Sequence, residues 1–149
     1  MEVTGEQLIP ASQQTTWNAL NDLDVLKACI PGCETIVPCA ENEFDVVLTA
    51  KVGPVSAKFK GKLTLLDLNP PNAYTLSFEG QGGVAGFAKG GAQVQLTPEG
   101  EATRLNYSAK ANVGGKLAQI GSRLIDGTAR KLADQFFTAF KKHVSDSAA

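Results

Sequence analysis

The sequence predicts an α+β domain: a curved antiparallel sheet of about seven strands gripping one long C-terminal helix, with two short helices after the first strand. Three patterns predict it. From Glu34 onward apolar and polar residues alternate with period two for about 80 residues, as half-buried strands joined by short turns do. Residues 116–144, KLAQIGSRLIDGTARKLADQFFTAFKKHV, then switch to helical period. Ahead of the alternating region lie two short helical stretches bounded by capping residues and proline. With 149 residues, a single domain spanning 1–149 is expected, long enough to bury about two thirds of its unfolded surface.

Glu2–Ile9 reads as a first strand, ended where Pro10 removes a ladder donor. Residues 12–20 form a short helix with Trp17 and Leu20 on one face. Asn21 or Asp22 caps a second, Leu23–Cys29, stopped by Ile30-Pro31-Gly32. Phe44, Val46, Leu48, Ala50 and Val52 then alternate with Glu43, Asp45, Val47, Thr49 and Lys51. After Gly53-Pro54 the pattern restarts, with Val55, Ala57, Phe59, Gly61, Leu63 and Leu65 inward. Pro70-Pro71-Asn72 turns the chain into Tyr74, Leu76 and Phe78. Pro98-Glu99-Gly100 separates Ala92, Val94 and Leu96 from Leu105, Tyr107, Ala109, Ala111 and Val113. Such a meander has one wet face, and its apolar face needs the last helix.

That helix would run about 40 Å, longer than a simple lid requires. Its apolar stripe is Leu117, Ile120, Leu124, Ile125, Thr128, Leu132, Phe136, Phe140 and Val144. Successive i+4 steps drift by about 40°, so residues 117–128 face the hollow of the sheet while 132–144 pack over the sheet end and the short helices. Gly121, read as helix interior, costs about 1 kcal/mol against alanine. The inward strand positions include Ala50, Ala57, Gly61, Gly80, Ala92, Ala109 and Ala111. Two readings stay open for them: close backbone approach, or an apolar cavity.

Net charge is −1, from 14 basic and 15 acidic residues, which gives no overall bias toward nucleic acid or an anionic bilayer. The N-terminus lacks a basic segment followed by an apolar core, and no apolar run approaches membrane-spanning length, so a cytoplasmic location is expected. Cys29, Cys33 and Cys39 are odd in number, unlike a secreted disulfide framework, and have no CxxC pairing, so no metal site is expected.

No catalytic residue is expected: the single histidine, His143, has no nucleophile partner, and the carboxylates fall on turns or outward positions. Asp126 and Arg130 are spaced for a surface ion pair. The glycine-rich residues 80–91 lack the GxxxxGK[ST] pattern and any following helix, so they read as a long hairpin connection, a mobile cavity mouth with Val84 and Phe87 as apolar lips. Lys58, Lys60 and Lys62 share one outward strand face with Lys51 beside them: a solvated face, or a patch for an acidic partner or anionic headgroups. Phe136, Phe137 and Phe140 next to Lys141 and Lys142 read as core or as an interfacial anchor.

The blocks NDLDVLKACIPGCE, VGPVSAKFKGKLTLLDLNPP, YTLSFEGQGGVAGFAKG and VGGKLAQIGSRLIDGTARKLADQFF resemble the carbon monoxide dehydrogenase G-subunit family, within the START-like, polyketide cyclase and lipid-transport superfamily of helix-grip domains. The pattern falls on Ile30-Pro31-Gly32-Cys33, Gly80-Gln81-Gly82-Gly83, Gly86-Phe87-Ala88-Lys89-Gly90 and Gly114-Gly115-Lys116-Leu117. The resemblance implies a non-enzymatic accessory protein of an aerobic, molybdenum-containing carbon monoxide dehydrogenase or a related hydroxylase. It further implies a quinone or other lipid as ligand rather than a cofactor, and a link to the cytoplasmic membrane. Many relatives continue into a hydrophobic C-terminal anchor, whereas this sequence ends at Ser147-Ala148-Ala149, so attachment by its own tail is not expected.

A ligand in the hollow would be lined by Trp17, Leu26, Ile30 and Pro31 from the short helices, and by Phe59, Phe78 and Tyr107 from the sheet. Val84 and Phe87 would line the mouth, and Leu117, Ile120, Gly121, Leu124, Ile125 and Thr128 the helix side. Two other readings stand beside this one: a docking adaptor with a filled core, and a cyclase- or hydratase-type enzyme using Tyr107 as its acid.

Overall fold

A computed structural model describes residues 1–147. Strand β1 (Glu2–Ile9) leads into helices α1 (Gln13–Leu20) and α2 (Leu23–Cys29). There follow β2 (Cys33–Ala40), β3 (Glu43–Val52), β4 (Val55–Asn69), β5 (Ala73–Gln81), β6 (Phe87–Glu99) and β7 (Ala102–Gly114), and then α3 (Lys116–Gln119) and α4 (Ser122–Ser147). The seven strands form one antiparallel sheet in the order β1-β7-β6-β5-β4-β3-β2, a meander with the first strand added beside the last. The caps fall where the sequence puts them. Ser12 Oγ accepts from the backbone N–H of Thr15, and the Asp22 carboxylate accepts from the N–H groups of Asp24 and Val25.

The last helix is not continuous. Gly121 has φ +102° and separates the single turn of α3 from α4, so it stands outside any helix interior. Its left-handed backbone ends one helix and lets the next set off anew, although the apolar spacing runs on through it. The glycine-rich connection is also shorter than its composition suggests. Only a 3₁₀ turn, Gly83–Ala85, intervenes before β6, which takes in residues 87–91 as strand.

The core gathers at one end. Ile9, Trp17, Leu20, Val25, Leu96, Leu105, Phe137, Phe140 and Val144 pack with Tyr74 and Val94, drawing on β1, α1, α2, β5 to β7 and the second half of α4. Trp17 meets Tyr74 edge to face at 5.4 Å, and Tyr107 stacks on Phe137 at 5.3 Å. Phe140 and Phe137 are buried and Phe136 packs against them, so these rings are core and not an interfacial anchor. Thr103, wholly buried, donates its hydroxyl to the carbonyl of Ala11 and ties β7 to the turn before α1.

Candidate ligand-binding site

Away from that core, the concave face of the sheet is laid out in cross-strand rows fixed by register. Val46, Gly61, Gly80, Ala88 and Val113 make one row. Phe44, Leu63, Phe78, Gly90 and Ala111 make the next, and Leu65, Leu76, Ala92, Ala109 and Val3 a third. In these rows only Ala111 and Val3 are buried, and the other positions are half-buried. The facing side of α4 behaves alike: between Ile125 and Phe137, the residues Thr128, Ala129, Leu132, Ala133 and Phe136 are half-buried. Leu65, Leu76 and Phe136 pack against the core where the two apolar walls run into it, and beyond them the walls stay half-buried.

The small residues of the sheet wall divide into two kinds. A Cβ on Gly61 would stand 2.0 Å from the carbonyl oxygen of Glu79, and one on Gly90 would stand 2.0 Å from that of Lys110. These two glycines permit a tight bend of the sheet, which is how it curls around α4. A Cβ on Gly80 would meet nothing nearer than 4.0 Å, so Gly80 faces open space.

One end of the hollow is framed by three connections. Lys60 pairs with Gln81, the last residue of β5, so the tip of the β3–β4 hairpin extends beyond its neighbour. At that tip a Cβ on Gly53 would stand 2.7 Å from Leu124 and 3.6 Å from Ile120, which places the hairpin turn against the α3–α4 junction. The 3₁₀ turn closes a second side: Gly86, at φ +110°, lies so near Gly114 that a Cβ would stand 1.9 Å from its carbonyl oxygen. The ring of Phe59 covers Gly82 on the same side.

The sequence-derived lining residues sort by this frame. Phe59, Phe78, Tyr107, Leu26, Ile30, Pro31, Ile120 and Thr128 are half-buried; Phe78 stands in a row of the sheet wall, Thr128 on the half-buried side of α4 and Ile120 beside Gly53, while Tyr107 packs against the core. Trp17 belongs to the closed core, so it does not line the space. Leu117 and Ile125 are buried. Gly121 is exposed, and a side chain there would touch nothing within 4 Å. Leu124 and Val84 are exposed at the mouth. Phe87 pairs with Gln81 and Gly114 and, one residue before the inward Ala88, stands on the outward parity of the sheet; its ring lies over Gly114 at the rim.

Polar groups near the hollow are few. Burial pushes the Tyr107 hydroxyl above the usual tyrosine range, and the charge of Asp134 adds to this while Arg130 opposes it. Asp126 makes no ion pair with Arg130; its Oδ1 is buried without a partner on the α4 turn that carries Ile125. This orphaned acceptor is not legible in the sequence, where the i, i+4 spacing suggests a surface pair. Lys51, Lys58, Lys60 and Lys62 are exposed on the outer face, with Lys58 bonded to Glu34 at 3.4 Å and Lys62 set between Asp45 and Glu79 by register. Two grooves are open to solvent, one of about 660 Å³ along α4 by Arg130, Asp134 and Lys142 and one of about 460 Å³ by Gln93, Gln95, Asn106 and Tyr107. Among the described residues no cluster of His, Cys, Asp and Glu is set to hold a metal, and no helix is long and apolar enough to cross a membrane.

A curved antiparallel sheet wrapped on a C-terminal helix, with two short helices after the first strand and a half-open apolar hollow, is a START-like helix-grip domain. The chain belongs to the carbon monoxide dehydrogenase G-subunit (CoxG) family, whose model matches residues 5–145. A conserved protein from Geobacillus kaustophilus superposes with a TM-score of 0.94 at 31% identity, over 99% of this chain and 97% of that one. A START superfamily protein from Mycobacterium smegmatis gives 0.74 at 14% identity, covering 97% of each chain. The Zhui aromatase/cyclase from Streptomyces gives 0.73 at 10%, covering 100% of this chain and 96% of the other; these last two share the fold alone. No curated protein matches the chain significantly.

Proposed function

We propose that this protein is a non-enzymatic accessory protein that carries a quinone or other lipid in the hollow between the sheet and α4. It serves an aerobic, molybdenum-containing carbon monoxide dehydrogenase or a related hydroxylase at the cytoplasmic face of the membrane. The observation that carries the ligand reading is the pair of facing apolar walls that stay half-exposed while the core closes beside them. Apolar surface left open to water costs about 25 cal/mol per Å², so a hollow of this kind is stabilised by an apolar occupant. The enzyme partner rests on membership of the family alone. A cyclase-type role is disfavoured by Tyr107, whose ring is stacked on Phe137 and whose hydroxyl is a weaker acid than usual. A filled adaptor core does not account for the open walls.

The test uses Gly80→Leu, because the new side chain enters open space from an ordinary strand backbone. Lipid extraction and mass spectrometry of the purified wild type should find a co-purifying lipid, or titration with a menaquinone or ubiquinone analogue should saturate. Gly80→Leu should keep wild-type stability or exceed it and lose at least about tenfold in affinity, the equivalent of about 1.4 kcal/mol. A wild type that neither retains lipid nor binds either analogue saturably would end the carrier reading.

A further inference from the structure

Of the charged residues on α4 before Phe136, Arg123, Arg130, Lys131 and Asp134 are exposed and Asp126 alone is half-buried. Helical spacing gives the reason. Asp126 stands seven residues before Ala133 and eleven before Phe137, which puts all three within about 20° of one side of the helix. The groove on the solvent side of α4 is lined by Gly127, Arg130, Lys131 and Asp134, and Asp126 is not part of that lining. Its direction is therefore inward, shared with the half-buried Ala129 and Ala133. α4 joins the core only from Phe136 onward, so Asp126 lies about 15 Å further along the helix, at the hollow.

No side chain answers this carboxylate. Its Oδ1 is buried without a hydrogen-bond partner, and none of the ion pairs among the described residues includes it. Arg123 and Arg130, one turn away on either side, are exposed and do not pair with it. Only Oδ1 is closed off while the residue is half-buried, so the other oxygen is the accessible one. An ionised carboxylate can only accept, and whatever completes it must bring a donor.

We propose that Asp126 is the polar anchor of the hollow and that its ligand presents a hydroxyl donor to it, so that among quinone-type lipids the hollow takes the quinol in preference to the quinone. The proposal rests on the carrier reading and adds to it which chemical form is carried. A quinone offers two carbonyl oxygens, acceptors like the carboxylate, and leaves it unanswered; a quinol offers O–H groups on a ring of nearly the same shape. Hydrogen bonds with one ionised partner are the stronger kind, and they discriminate most where the protein group is part-desolvated, as this one is. Ala129 and Ala133, the inward residues on the next two turns, are small enough to admit a ring beside the carboxylate. Tighter binding of the reduced form also raises the potential of the bound couple, by about 30 mV for each tenfold of preference in a two-electron reduction.

The experiment titrates the full chain, without oxygen, with one short-chain ubiquinone analogue in three forms. These are the quinone, the quinol kept reduced by dithionite, and the quinol dimethyl ether, which keeps the ring and loses both donors. The wild type should bind the quinol at least about tenfold more tightly than either other form, and the midpoint potential of the bound analogue should stand at least about 30 mV above that of the free one. Asp126→Asn presents an N–H beside its carbonyl oxygen, so the preference should fall below about twofold while quinone affinity holds or rises. Asp126→Leu should also erase the preference, and a thermal midpoint at or above that of the wild type would show that the loss is not a folding defect. Equal affinity of the wild type for quinone and quinol would overturn this proposal and leave the carrier reading standing. Equal affinity for the quinol and its ether would do the same, because shape and not the donor would then decide. A quinol preference that survives in Asp126→Leu would overturn it by placing the acceptor elsewhere, and a quinone preference lost in that variant would overturn it by making Asp126 a protonated donor. Failure of the wild type to bind any of the three forms would end both readings together.

Discussion

Tyr74 shows how one residue at the edge of the hollow takes part in the closed core. It lies in the cross-strand series beyond Leu76, is buried against Trp17, and has its hydroxyl pushed well above the usual tyrosine range by desolvation. Below about pH 10 the folded and unfolded chains both keep this proton, so the contribution of Tyr74 is fully present. As pH rises past that value the unfolded chain releases the proton and the folded one retains it, and stability falls by up to about 1.4 kcal/mol per pH unit. Unfolding free energies measured by urea between pH 8 and 11 should therefore decline more steeply in the wild type than in Tyr74→Phe. Equal slopes would mean that the phenol is already hydrated in the folded protein. Ile9, Leu105 and Phe140 need no such measurement, because alternation or helical spacing puts each on the inner face and each is fully buried.

The elements divide by what their boundaries depend on. Gly121 and Gly127 both have open space where a side chain would go, but Gly121 has φ +102° and Gly127 sits inside α4 with ordinary helical backbone. Alanine at Gly127 should stabilise by about 0.5–1 kcal/mol, and alanine at Gly121 should destabilise by about 1–2 kcal/mol through backbone strain alone. Denaturant midpoints of the two variants should move in opposite directions; a gain at Gly121 would show that α3 and α4 can join into one helix. The strands, α1, α2 and the second half of α4 are legible in the sequence, because side-chain periodicity and caps determine them directly. The break at Gly121 is not, since Leu117, Ile120 and Leu124 keep helical spacing across it. Nor can spacing distinguish Gly61 and Gly90, which bend the sheet, from Gly80, which faces space, because that depends on how near the next strand's carbonyl lies. What escapes the sequence at Phe87 is that β6 already begins there; once residues 87–91 are strand, the alternation that turns Ala92, Val94 and Leu96 inward turns Phe87 outward.

At the scale of the whole molecule, stability and opening are separated along one axis. The closed end holds the core and the bond from Thr103 to Ala11, and the mouth end rests on glycine contacts, a one-turn helix and half-exposed apolar walls. Regions with few buried contacts open at lower free energy than the core. Hydrogen exchange should therefore be slowest at Leu105, Phe137 and Phe140, whose amides require global unfolding, and faster by orders of magnitude at Val52, Val55 and Leu117 around the mouth. A ligand that binds only the folded protein at a hundred times its Kd adds about 2.7 kcal/mol of stability. Filling the hollow should concentrate the added protection at the mouth, and Gly80→Leu should show part of that protection without ligand. Protection that rose uniformly, or only at the closed end, would place the ligand elsewhere. It would also leave the half-exposed walls as a surface for another protein, which exchange measured with and without the dehydrogenase would detect.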